Sequence, residues 1–125
     1  MTATTLTSNL GASFELGPTS IRKREKDVDS EMSFADVVRV RAMMLGGGGV
    51  LELASSDGRA LVVASSREIG RGSPRLTEPA RSEYIAFATV LHRRLVDANP
   101  SIKFVAGWIF KKPYDPLAIP AKLLP

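Results

Sequence analysis

The sequence predicts an α+β fold, an antiparallel strand meander closed by one C-terminal amphipathic helix. Three observations carry that expectation. Apolar and polar residues alternate through much of the stretch from Ser13 to Ser65, and Asp57-Gly58 separates two such runs. From Tyr84 onward the apolar spacing changes to threes and fours, the period of a helix. A chain of 125 residues has room for one core. Its 44% hydrophobic and 24% charged content is that of a folded domain, not of a disordered chain.

Residues 1–12 are small and polar and read as a flexible leader; residues 13–107 read as the α+β domain and 108–125 as a proline-rich apolar tail. Phe14 and Leu16 alternate with Ser13 and Glu15 before the turn residues Gly17-Pro18-Thr19-Ser20. Ile21 to Asp27 carries charge on both faces and fits an edge strand. Ser33 to Asp36 reads as a short turn. In Val37 to Met44, Val38, Val40, Ala42 and Met44 fall on one face and Arg39 and Arg41 on the other. Gly46 to Gly49 breaks the chain before the next strand.

Val50 to Ser56 and Arg59 to Ser65 flank Asp57-Gly58, a dipeptide that favours a two-residue type I′ turn. That turn sets Leu53 opposite Val62 and Leu51 opposite Ala64, with Leu51, Leu53, Ala60, Val62 and Ala64 on the buried face. Residues 66–79 read as a loop, with Thr77 as N-cap and Glu78 near the positive helix end. The helix runs to about Ala98 and stops at Asn99-Pro100. Tyr84, Phe87, Ala88, Leu91, Leu95 and Ala98 form its apolar stripe, with His92 on the shoulder. Ile102 to Trp108 reads as a last strand.

Composition narrows the chemistry. There is no cysteine, which excludes disulfides and thiolate chemistry, and the single histidine cannot build a histidine-rich metal site. No carboxylate pair or activated nucleophile is legible, so a non-catalytic protein without a cofactor is expected. Gly46 to Gly49 lacks the lysine and following helix of a phosphate loop. The longest apolar run, Phe104 to Phe110, falls far short of the roughly 20 residues of a bilayer span, and no secretory signal is legible, so a cytoplasmic location is expected.

The net charge of +4 is uneven: residues 1–62 hold 7 basic and 8 acidic side chains, and residues 63–125 hold 10 and 5. The densest basic run, Arg22, Lys23, Arg24 and Lys26, is a candidate anion site, although Glu25, Asp27, Asp29 and Glu31 follow at once. Trp108, Phe110, Tyr114, Leu117 and Ile119 give the tail more apolar character than a disordered segment carries. They either contact a partner or fold back over an open sheet edge.

The order of these pieces resembles a bacterial pleckstrin-homology-like domain. Phe14 to Ile21 is similar to its opening strand pair, Met32 to Val40 to the segment leading into the next strand, and Gly49 to Val63 to a family hairpin. Residues 80–98 are similar to its closing helix, so the resemblance covers residues 13–98. The family fold has seven strands where five or six are legible here, and its better-known eukaryotic members carry a tryptophan in the closing helix, whereas Trp108 follows it. Phosphoinositide-binding members use a lysine and spaced arginines around the first hairpin, a pattern that Arg22, Lys23 and Arg24 match loosely. The resemblance implies a partly open barrel and a scaffold for binding.

Two functions are therefore expected in order: an interaction module for a protein or peptide, with self-assembly into a homo-oligomer as one form of it, and a basic surface for nucleic acid or anionic lipid headgroups.

Overall fold

The computed structural model describes residues 4–8, 11–45, 48–65, 78–107 and 112–118. Among the described residues, two sheets and one α-helix make up the fold. Strands β1 (Thr5–Ser8), β2 (Ala12–Leu16), β3 (Ser20–Glu25) and β4 (Val28–Ser33) form an antiparallel sheet in chain order. A 3-10 turn at Phe34–Asp36 leads to β5 (Val37–Leu45), β6 (Gly48–Ser55) and β7 (Ala60–Ala64). Helix α1 (Glu78–Ala98) follows, then β8 (Lys103–Ala106) and β9 (Lys112–Pro113). The second sheet has the order β7-β6-β5-β8-β9, in which β8 runs parallel to β5 and the remaining pairs are antiparallel.

The fold is α+β, as the sequence predicts, and the described strands form no closed barrel. Nine strands are described, seven of them ahead of the helix, where the sequence makes five or six legible over the whole chain. The extra ones are strands that periodicity passes over. Strand β1 lies inside the stretch read as a leader and buries only Leu6 and Ser8. Strand β4 is polar along most of its length because it is an edge, with Met32 its one buried side chain. Ile21 to Glu25, expected at an edge, is instead an interior strand between β2 and β4. Its charged side chains are accommodated by cross-strand partners of opposite sign: Arg22 faces Glu15 on one side and Glu31 on the other.

The β6–β7 hairpin forms with a register one residue away from the predicted one. Leu53 faces Leu61 and Leu51 faces Val63. The loop holds three residues, not two: the Gly58 N–H donates to the Ser55 carbonyl (3.2 Å) and the Ser55 N–H to the Arg59 carbonyl (2.9 Å). Gly58 takes φ 88°, so a type I turn ends in a left-handed glycine, the geometry of a three-residue loop with a bulge. The Ser55 hydroxyl and Asp57 carboxylate bond to each other, and both accept from the Arg59 N–H, which favours this longer loop. Because strand side chains alternate, the slip exchanges the faces: Leu61 and Val63 are buried, and Val62 is 36% exposed. A bulge between Val37 and Arg39 acts similarly on β5, turning Val37 inward and Val38 outward.

Helix α1 buries Tyr84, Phe87, Ala88, Leu91 and Leu95 in the same core as Leu51, Leu53 and Val63, whereas Ala98 at its end is exposed. Burying each of the larger side chains favours folding by roughly 1.5–3 kcal/mol before ordering entropy is subtracted. Phe87 meets Phe14 of β2 at 6.3 Å between ring centroids. Arg94 donates to the carbonyls of Leu16 (3.3 Å) and Gly17 (2.8 Å), fixing the helix to the β2–β3 turn. Gly49 of β6 lies under the Tyr84 ring: a Cβ there would fall 2.7 Å from Tyr84 Cζ and closer still to Cε2. Thr77, expected as the N-cap, lies outside the described residues.

Strand β7 crosses the first sheet instead of extending it. Just before it the Arg59 guanidinium reaches the Glu31 carbonyl of β4 (3.4 Å), and within it the Val62 carbonyl accepts from Lys23 of β3 (2.9 Å). Just beyond its end, the Ser65 carbonyl accepts from the Ser8 hydroxyl of β1 (3.2 Å). No described helix is long and apolar enough to cross a membrane.

A candidate binding groove beyond the helix

The chain leaves α1 through a turn that Asn99 builds. Its side-chain amide donates to the Val37 carbonyl (3.1 Å), and its side-chain oxygen accepts from the Ser101 N–H (3.1 Å). Pro100 cannot continue a helix. The chain therefore turns back along β5, where Val40 pairs with Phe104 and Ala42 with Ala106 in parallel register. Strand β9 adds two residues outside β8; Pro113, which has no N–H, is tolerated at this edge.

Tyr114 then enters the core. Its N–H donates to the Phe104 carbonyl (3.1 Å), and its ring lies 5.8 Å from the Phe104 ring in an edge-on arrangement. Both rings close on His92, at 5.5 Å for Phe104 and 5.7 Å for Tyr114. His92 is wholly buried, not at the boundary that its shoulder position suggests. Its Nδ1 lies 2.7 Å from the Ala88 carbonyl and its Nε2 2.7 Å from the Tyr114 hydroxyl. A carbonyl only accepts, so Nδ1 carries the proton and Nε2 accepts from the tyrosine. Burial lowers the His92 pKa to about 4, with the Ala88 bond offsetting part of the shift, and burial also raises that of Tyr114. Both polar ends are satisfied internally. This is a clamp that holds the tail against the helix.

Outside the clamp is a groove of about 410 Å³. Val96 from α1, Ile102, Phe104 and Val105 from the following segment, and Tyr114 line it with Pro100, Pro113 and Pro116, while Lys103 is the only charged lining residue among the described ones. Past its end, Asp115 closes an Asx turn: its carboxylate accepts from the Leu117 N–H (2.9 Å) and its carbonyl from the Ala118 N–H (3.1 Å). That turn presents Leu117, which is 59% exposed. With the tyrosine hydroxyl occupied and one cation at the rim, these walls suit burial of apolar surface.

Of the five residues proposed from sequence as partner contacts, Leu117 is on the surface and Tyr114 is a buried member of the clamp that contributes to the groove wall. Trp108, Phe110 and Ile119 lie outside the described residues. The four candidate anion ligands do not form one site: Arg22 and Arg24 line one cavity with Glu15, and Lys23 and Lys26 line another with Glu25. Arg22 and Arg24 are exposed, and Arg24 lies 3.7 Å from Asp29. Lys23 points the other way, its ammonium 5.6 Å from the centroid of the buried Phe14 ring, and Lys26 sits in the β3–β4 turn at φ 49°. Among the described residues, no three His, Asp or Glu side chains gather where a metal could bind.

His92 as a clamp and Lys23 as a bridge between sheets were missed at the sequence level. The histidine had a signal, since it stands four residues after Ala88 beside an apolar stripe, but its partner, Tyr114, is 22 residues further along the chain and meets it only on folding. No family model matches the chain, and no curated protein matches its sequence.

Proposed function

We propose that this chain is a non-catalytic interaction module that receives an apolar segment of a protein partner in the groove between the end of α1 and the β8–β9 hairpin. The observation that carries this reading is the groove itself, about 410 Å³ walled by Val96, Phe104, Val105 and Tyr114, with Leu117 held outward beside it. The half-buried Val96 and Val105 together with the exposed Leu117 leave apolar surface in water, which favours a partner that covers it. The walls are held in place in advance by the His92–Tyr114 clamp, which lowers the ordering cost of binding. Lys103 at the rim favours a segment with a carboxylate on its flank.

The scaffold is read as pleckstrin-homology-like. Seven described strands ahead of a helix support that reading, because seven is the number the resemblance implies. Binding of nucleic acid or anionic lipid has less support, since the four basic residues split into two pairs on separate surfaces, Arg22 with Arg24 and Lys23 with Lys26, and each pair has a carboxylate, Glu15 or Glu25, in the same cavity.

Selection of peptides on the purified chain from a random display library tests the proposal. Apolar segments with an acidic flank are expected, and Val105→Asp is expected to weaken them at least about tenfold, some 1.4 kcal/mol. Selected peptides that bind Val105→Asp as tightly as the parent chain would refute it.

A further inference from the structure

A second surface, on the opposite sheet edge, is independent of the groove. In register with the β6–β7 ladder, the Ser55 N–H donates to the Arg59 carbonyl and the Ser65 N–H to the Gly49 carbonyl, so these are pairs that face each other through their backbone groups. Hydrogen-bonded pairs alternate along an antiparallel ladder, so Leu61 and Val63 point their N–H and C=O groups at β6. Ala60, Val62 and Ala64 point theirs away from the sheet. Strand β7 is therefore an edge with a repeating row of donors and acceptors. Among the described residues, the one bond on that row is from the Lys23 ammonium to the Val62 carbonyl, at 2.9 Å.

Beside this edge lies a groove of about 400 Å³, bounded by β7 on one side and by the β3–β4 hairpin on the other. Val62 and Val28 (63% exposed) supply its apolar surface, and Lys23 and Lys26 outnumber the single carboxylate, Glu25. Lys23 Nζ is 3.9 Å from Glu25, long for an ion pair.

We propose that the β7 edge accepts an extended acidic peptide as an added strand, and that Lys23 selects for it. The incoming backbone pairs with Ala60, Val62 and Ala64, and its apolar side chains cover Val28 and Val62. To admit it, Lys23 must release the Val62 carbonyl. A strand with a carboxylate at that point gives the ammonium a new partner, whereas a neutral or basic strand leaves it only the Glu25 carboxylate at 3.9 Å in a half-buried site. The same contact keeps the edge from pairing with arbitrary chains, as inward-pointing charges do elsewhere. The occupant is thus an acidic β-forming segment rather than a second copy of β7, which would bring two Lys23 ammonium groups together.

The test uses the full chain and two short synthetic peptides, one alternating valine with glutamate and one alternating valine with lysine. Amide NMR shifts on titration with the glutamate peptide should centre on Ala60, Val62 and Ala64, and the lysine peptide should bind at least about tenfold more weakly. Methylating alternate peptide nitrogens should abolish binding, since strand pairing needs those donors. Lys23→Met should fold, lose most of the charge preference and bind a neutral valine–threonine peptide better than the parent chain does. No shift at those amides, an undiminished response to the lysine peptide, or an equal response to inorganic phosphate or to phosphatidylglycerol vesicles would overturn the proposal.

Discussion

His92 Nε2 lies 2.7 Å from the Tyr114 hydroxyl, joining the helix to a residue beyond the last strand. Through this bond the groove wall is part of the core. Tyr114→Phe removes the donor and leaves a buried imidazole nitrogen without a partner. The expected cost is about 1–3 kcal/mol in chemical unfolding, with the ring packing on Phe104 retained. A cost near zero would mean that the hydroxyl bond contributes nothing.

The same pair sets a pH dependence. The folded state holds His92 neutral down to about pH 4, whereas the ordinary histidine value is 6.5. Between those values the unfolded chain binds more protons, so stability rises with pH there. The contribution is complete above the ordinary value and is lost as pH falls from about 6.5 to about 4, amounting to roughly 3 kcal/mol. His92→Leu should flatten that limb of the stability profile; an unchanged slope would show that other groups produce it.

At Gly49 the constraint is steric. The Tyr84 ring occupies the place of any Cβ, so Gly49→Ala must displace a buried aromatic side chain. A loss of about 1–3 kcal/mol is expected by the general cost of overpacking. Tyr84→Leu in the same chain should make the two losses less than additive, which a double-mutant cycle measures.

The three-residue hairpin makes Gly58 a different case. Its φ of 88° has open space around it, so strain comes from the backbone alone. Gly58→Ala should cost about 1 kcal/mol and Gly58→Asn less, because asparagine tolerates left-handed conformations. Equal stability of all three chains would contradict the loop geometry.

The legible and illegible parts of the fold divide along physical lines. The helix stripe from Tyr84 to Leu95 and the pairing of β6 with β7 were readable because burial on one side imposes a period. The hairpin register was not, since Asp57-Gly58 suits a two-residue and a three-residue loop alike, and the Ser55 side chain decides between them. The bulge that turns Val38 outward was hidden for another reason, since one extra residue in β5 shifts the alternation without changing the residue types that show it. Strands β1 and β4 carry too few buried side chains to show an alternation. Of the candidate site, Leu117 was legible as an exposed apolar residue, whereas the groove beside it required β8 to pair in parallel with β5 across some sixty residues of chain, a tertiary relation that no local pattern encodes.

The central claim, that an apolar partner segment occupies the groove beyond α1, is tested most directly by amide NMR of the labelled chain titrated with a peptide selected on it. Shifts should cluster on Val96, Ile102 to Val105, and Tyr114, with the first sheet unaffected. Shifts confined to β1–β4, or spread without a focus, would contradict it.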